Sequence, residues 1–108
     1  MFKYELTLGL NDKKTRKQKF TPAEAHEKLN KILLNNFKIY AFTMFDTYGC
    51  YKHDNGEIVQ EASIRIEIAS EKNINETIKK LIKALKHRGC FNQESIMLEC
   101  NKSNIYFK

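Results

Sequence analysis

The sequence predicts an α+β fold of the ferredoxin-like type, β-α-β-β-α-β, with a four-stranded antiparallel sheet carrying two helices on one face. Three observations predict it. Apolar residues alternate with polar ones at period two in residues 2–8 and 63–68. Two amphipathic stretches with recognisable helix starts follow a strand in each half. Between them lies an aromatic, β-branched pair of segments joined by Asp54-Asn55-Gly56.

Taken in order, Phe2, Tyr4, Leu6 and Leu8 alternate with Lys3, Glu5, Thr7 and Gly9, the pattern of a half-buried strand. A polar run from Asn11 to Lys19 ends it. Thr21 is a helix cap, Pro22 suits the first helical position, and Glu24 completes a capping box. Ala25, Leu29, Ile32 and Leu33 fall on one helical face, and Asn35-Asn36 closes the segment. Residues 39–51 favour strand, with Gly49 marking a bulge or a close backbone approach. His53-Asp54-Asn55-Gly56 reads as a tight turn, because Asn-Gly tolerates the positive φ of a type I′ loop. In the return strand Ile64, Ile66 and Ile68 alternate with Ser63, Arg65 and Glu67. Asn73 is expected to cap a second helix, with Glu76 three positions on. Ile74, Ile78, Leu81, Ile82 and Leu85 form its apolar stripe, Lys79, Lys83 and Lys86 lie opposite, and Gly89 ends it. Residues 95–100 supply a fourth strand, and Ile105-Tyr106-Phe107 an edge strand or a cover over one end.

The chain has 108 residues and a formal charge of +6, the size of one domain, 1–108, with one core. No apolar run approaches the roughly 20 residues that span a bilayer, and no secretion-type stretch opens the chain, so no membrane partner is expected. Cys50, Cys90 and Cys100 are an odd number without a Cys-x-x-Cys pair, which fits reduced thiols in a cytoplasmic protein. Cys50 and His53 are a close pair of metal-ligand type without the further ligands that a four-ligand site needs, so no metal site and no cofactor are expected. Lysines outnumber arginines sixteen to three. That balance favours diffuse attraction to anions over a defined phosphate clamp. The abundance of Lys, Asn and Ile fits a low-GC genome, including those of phages and mobile elements.

Tyr4-Glu5-Leu6-Thr7-Leu8-Gly9-Leu10, Tyr48-Gly49-Cys50-Tyr51, residues 56–63 (Gly-Glu followed by Ser63) and Phe91-Asn92-Gln93-Glu94-Ser95-Ile96 together resemble an uncharacterised group of small bacterial and phage proteins, a domain family of unknown function. The resemblance covers most of the chain in order. It implies the ferredoxin-like fold and brings no activity, cofactor or catalytic residue. The basic run after Gly9 and the Lys-rich second helix are particular to this sequence.

Three groups of residues are candidate sites. Gln93, Glu94 and Ser95 with Glu61 and Ser63 would gather near one end of the sheet, as a ligand cluster or simply as caps for loop backbone. Of the aromatics Tyr40, Phe42, Phe45, Tyr48 and Tyr51, alternation must place some on the bare sheet face, with Phe45 or Tyr48 foremost. Arg65 joins them on the neighbouring strand. The third group is Lys13, Lys14, Arg16, Lys17 and Lys19 in residues 11–20, ten residues that carry +4 once Asp12 is counted and stay mobile unless an anion orders them. A further basic run, Lys79 to Arg88, is with the loop a candidate patch for a nucleic-acid backbone, or else simply a solvated helix face.

No His stands beside Ser95 or any Cys, so no nucleophile has an adjacent base. The expected function is therefore that of a non-enzymatic binding protein. It would dock through its bare sheet face and basic loop on a host protein or ribonucleoprotein complex, in the manner of an anti-CRISPR inhibitor. The alternatives are a nucleic-acid-binding domain, and a small nucleotide-binding protein or enzyme around Tyr48, Glu61 and residues 93–95. A homodimer through the open sheet, with Thr43, Phe45, Ser63 and Met97 on it, is a further expectation.

Overall fold

The computed structural model describes residues 1–12, 14–52, 54–87, 90–93 and 96–102, with Lys102 described by its backbone alone. The elements are β1 (Phe2–Gly9), α1 (Pro22–Lys31), β2 (Phe42–Lys52), β3 (Ile58–Ser70), α2 (Asn75–Lys86) and β4 (Met97–Lys102). The four strands form one antiparallel sheet in the order β2-β3-β1-β4, the ferredoxin-like arrangement.

Alternation decides the two faces. Tyr4, Leu6 and Leu8 of β1 and Ile64, Ile66 and Ile68 of β3 are all at most 1% exposed. They form one core with Ala25, Leu29 and Leu33 from the first helical segment and Ile78, Leu81 and Leu85 from α2. Each such side chain contributes about 1.5–3 kcal/mol on leaving water, so this face holds the fold together. The opposite face carries Lys3, Glu5, Thr7, Thr43, Phe45, Ser63, Arg65, Glu67, Met97 and Glu99, and no described helix covers it.

The expected helix start at Thr21 is present in full. Thr21 Oγ1 accepts from Glu24 N–H at 3.2 Å and the Glu24 carboxylate accepts from Thr21 N–H at 3.0 Å. Those bonds hold the Glu24 carboxyl below its usual pKa. Beyond Lys31 the helix widens into a π-helical segment, Ile32–Asn36, closed by Phe37 N–H to Ile32 C=O at 3.2 Å. Ile39 N–H then donates to Leu33 C=O at 2.9 Å, so residue 39 finishes the helix and the strand begins only at Phe42.

Three boundaries differ from the expectation for local reasons. α2 begins at Asn75, because the Tyr4 hydroxyl accepts Ile74 N–H at 3.0 Å and donates to Asn75 Oδ1 at 2.9 Å. Asn73 makes a turn upstream of the helix, accepting Asn75 N–H at 2.9 Å, and is not its cap. The β2–β3 connection is no two-residue turn: pairing closes at Lys52 and Ile58, and Gly56 takes φ +87° inside a five-residue loop, 53–57. β4 starts at Met97, opposite Thr7. Gly89, His53 and the tail 105–107 lie outside the described residues.

β3 is five residues longer than its pairing with β1, which ends at Gly9 and Ser63. The surplus, paired only with residues 48–52, forms a two-stranded arm.

Candidate functional site

The arm, the end of β1 and the basic loop enclose an open cleft of about 780 Å³, a volume suited to a small organic ligand. Its floor is the uncovered sheet face, through Thr7, Gly9, Gly49, Tyr51, Val59, Glu61, Ser63 and Met97. Asn11, Asp12, Arg16 and Gln93 form the facing wall, and Glu57 stands at the rim.

Glu61 and Gln93 meet at the backbone of Asn11. Glu61 Oε2 accepts Asn11 N–H at 2.8 Å, and Gln93 Nε2 donates to Asn11 C=O at 2.6 Å. Gln93 also donates to Phe91 C=O at 3.3 Å and is 7% exposed. Gln93 thus caps loop backbone, while half-buried Glu61 remains on the cleft floor. The Glu61 carboxylate lies so close over Gly9 that a Cβ there would stand 2.5 Å from Oε1. Gly9 is required by that approach. Glu94 and Ser95, expected in this cluster, lie outside the described residues.

The basic loop is folded back on itself and is not an open polycation. Asp12 N–H donates to Lys17 C=O at 2.8 Å, and Lys19 N–H to Leu10 C=O at 3.1 Å. Asp12, buried at 7% exposure, accepts Lys14 N–H at 2.9 Å and Thr15 N–H at 3.0 Å on Oδ1. Its Oδ2 accepts from Asn92 Nδ2 at 2.8 Å. The Asn92 amide first, then the Thr15 and Lys14 N–H groups and the Lys19 charge, pull its pKa down from 3.8 to about 2. A single acid inside the basic run therefore supplies the order that an external anion was expected to bring.

The loop cations diverge. Arg16 reaches Glu57 across the cleft mouth at 3.7 Å. Lys19 turns the other way, donating to Cys90 C=O at 3.3 Å and lying 5.5 Å from the Phe20 ring centroid. Lys14 and Lys17 are exposed, and Lys13 lies outside the described residues.

The aromatics also separate. Phe45 is on the uncovered face, 38% exposed, with the Arg65 guanidinium 5.0 Å from its ring centroid. Tyr48, opposite Ala62, shares the parity of Phe42 and Met44 and belongs to the helix side of the arm, donating to Gln60 Oε1 at 3.3 Å. Tyr51 lines the cleft. The sequence-predicted residues that come together are Glu61, Gln93, Arg16 and Tyr51. Phe45, Arg65, Tyr48, Lys14, Lys17 and Lys19 lie elsewhere. Sequence reasoning missed Asn11, Asp12, Glu57 and Asn92. The signal available for Asp12 was its position as the lone acid of the run.

Among the described residues no helix is long and apolar enough to cross a membrane. No curated protein sequence matches the chain. Solved structures do. A phage SAM lyase in complex with S-methyl-5′-thioadenosine is similar at TM-score 0.70 and 22% identity, over 94% of this chain and 80% of that one. A phage SAM lyase in the apo state is similar at TM-score 0.67 and 23% identity, over 93% and 78%. B. subtilis GlnK in complex with ATP is similar at 0.55 and 20% identity, over 93% and 80%. These likenesses concern the fold. They also overturn the expectation of a non-enzymatic protein, because a fold shared over nearly the whole chain carries an enzyme in the lyase. The missing nucleophile–base pair argued only against covalent and general-base catalysis, and an enzyme that orients its substrate needs neither. The model of the family described as a protein of unknown function, DUF3574, matches residues 3–107, and the chain belongs to that family.

Proposed function

We propose that the cleft binds an adenosine-containing cation of the S-adenosylmethionine class and promotes cleavage of a carbon–sulfur bond in it. The observation that carries this reading is the charge of the lining. Among the described residues, three carboxylates, Asp12, Glu57 and Glu61, face one cation, Arg16, although the chain as a whole is +6. A cleft of that sign attracts a sulfonium and repels a polyphosphate. S-methyl-5′-thioadenosine, held by the similar lyase, is what such a substrate becomes when the bond breaks.

The chemistry asks little of the protein. A sulfonium leaves as a neutral thioether, the electron pair of the broken bond moving to sulfur. The substrate's own carboxylate oxygen donates the pair that bonds to the carbon sulfur leaves, closing a ring, so no protein nucleophile or base is consumed. Holding the substrate in one reactive conformation lowers the barrier by pre-paying its ordering entropy. Glu61, fixed by Asn11 N–H over Gly9, supplies the negative charge that draws the sulfonium onto the cleft floor. Gln93 and Asp12 are positioning residues that hold the wall.

Thermal unfolding with added ligand tests the binding. A ligand at ~100 times its Kd adds about 2.7 kcal/mol, an upward shift on the order of 10 °C for a domain near this size. S-adenosylmethionine is expected to give such a shift and ATP none. A shift with ATP and none with S-adenosylmethionine overturns the assignment.

A second reading rests on a separate observation: Phe45 and Met97 stand exposed on the uncovered face, at either end of one cross-strand row with Arg65 and Thr7. A protein partner, a host-defence complex among them, or a second copy of the chain would dock there. Phe45→Asp is expected to abolish such an association in sedimentation velocity and leave ligand binding intact.

A further inference from the structure

We propose a second binding surface, independent of the cleft: a groove on the helical layer that docks the phosphate backbone of single-stranded nucleic acid. The groove, about 440 Å³, is lined by Lys80, Lys83, Ala84, His87 and Cys90. Residues 80, 83 and 87 recur at three- and four-residue spacing, which sets them in one row along α2 and its end. From 80 to 87 that row is about 10 Å long at 1.5 Å per residue.

Two further cations reach the same place from the other half of the chain. Lys19 Nζ donates to Cys90 C=O at 3.3 Å, and Lys28 of α1 lies 5.7 Å from the centroid of the Phe91 ring. The charges of both act on the Cys90 thiol, whose pKa burial nonetheless raises. Lys80, Lys83 and His87 therefore line the groove, with Lys19 and Lys28 beside its Cys90 end. The stretch 77–93 holds Lys79, Lys80, Lys83, Lys86 and Arg88 without a single acid. Among the described residues, Lys79 alone of its four lysines has an ion pair, with Glu76 at 3.3 Å.

Charge complementarity selects the occupant. A row of unit charges suits a linear polyanion better than a compact one, which would need donors converging on a point. Lysines on flexible stems, with no arginine fork among the described groove residues, suit a sequence-independent backbone. An unbroken run without interleaved acids matches the regular charge repeat of a nucleic-acid strand.

Fluorescence anisotropy of a labelled 20-mer of thymidine, titrated from about 50 to 300 mM salt, reads the result. Wild-type protein should bind with an affinity that falls linearly on a log–log plot. Lys28→Gln/Lys80→Gln/Lys83→Gln should flatten that slope by roughly 2, at ~0.7 per lost contact on a single strand. The charge-matched control Lys14→Gln/Lys17→Gln/Lys38→Gln should keep the wild-type slope. Should the triple groove variant lose its circular dichroism melt, the single variants Lys28→Gln and Lys83→Gln should each lower the slope by about 0.7. Absence of binding at the lowest salt, equal loss in the control, or displacement by poly-glutamate as readily as by unlabelled oligonucleotide overturns the proposal.

Discussion

Gly9→Ala offers a test of the cleft floor whose size follows from the geometry. An alanine Cβ would lie 2.5 Å from Glu61 Oε1 and 2.6 Å from both Cδ and Oε2, well inside the 3.4 Å of ordinary contact. The carboxylate must move by close to an ångström, and Oε2 then gives up its 2.8 Å bond from Asn11 N–H. An orphaned, half-buried donor costs about 1–3 kcal/mol. Against this, alanine in a strand interior saves about 0.5–1 kcal/mol of backbone entropy relative to glycine. The net expectation is a destabilisation of about 1–2 kcal/mol, a drop of roughly 4–16 °C in Tm. The partner measurement is the same change in a Glu61→Ala background. There the obstructing carboxylate is gone, and Gly9→Ala should become neutral or slightly stabilising. Chemical denaturation of the four proteins closes the cycle. An equal cost of Gly9→Ala in both backgrounds would refute the claim that Glu61 dictates glycine at this position.

Three other outcomes are expected. Tyr4→Phe removes the acceptor of Ile74 N–H and the donor to Asn75 Oδ1, and should cost about 1–3 kcal/mol in urea denaturation, with amide exchange raised first at the start of α2. Asp12, with its folded pKa of about 2 against 3.8, stabilises the fold above pH 4 and loses that contribution as pH falls from about 4 through 2. Acid unfolding followed by circular dichroism should therefore be less steep in this window for Asp12→Asn than for wild type. Leu81→Ala opens a void in the fully buried core and should cost about 2–5 kcal/mol by thermal or urea unfolding, leaving the cleft unchanged.

The fold was readable because its signals are local and periodic. Ile64, Ile66 and Ile68 commit β3 to one face, and Thr21-Pro22 with Glu24 marks a helix start that needs no tertiary partner. Asn73 misled because the competing group, the Tyr4 hydroxyl, comes from about 70 residues away. The hairpin loop misled because Asn-Gly is compatible with more than one loop length; only the register Lys52 to Ile58 decides. Half of the cleft was legible: alternation and the turn place Glu61 and Ser63 near the helix-to-strand loop of Gln93. The other half was not. Gln93 and Asn11 are 82 residues apart, and nothing in either neighbourhood announces their bond. The charge run was overread, since its arithmetic ignored that the carboxylate of one buried acid, Asp12, can organise Lys14, Thr15 and Asn92 around it. Phe45 and Tyr48, three apart on one strand, necessarily face opposite ways.

The most direct measurement is the incubation of purified protein with S-adenosylmethionine, with release of S-methyl-5′-thioadenosine followed by liquid chromatography. Release well above the spontaneous rate is expected for wild type, with a marked loss in Glu61→Gln and little change in the groove variant Lys80→Gln/Lys83→Gln. Release no faster than in buffer, from protein that is folded and saturated with S-adenosylmethionine, would contradict a carbon–sulfur bond-breaking role for the cleft.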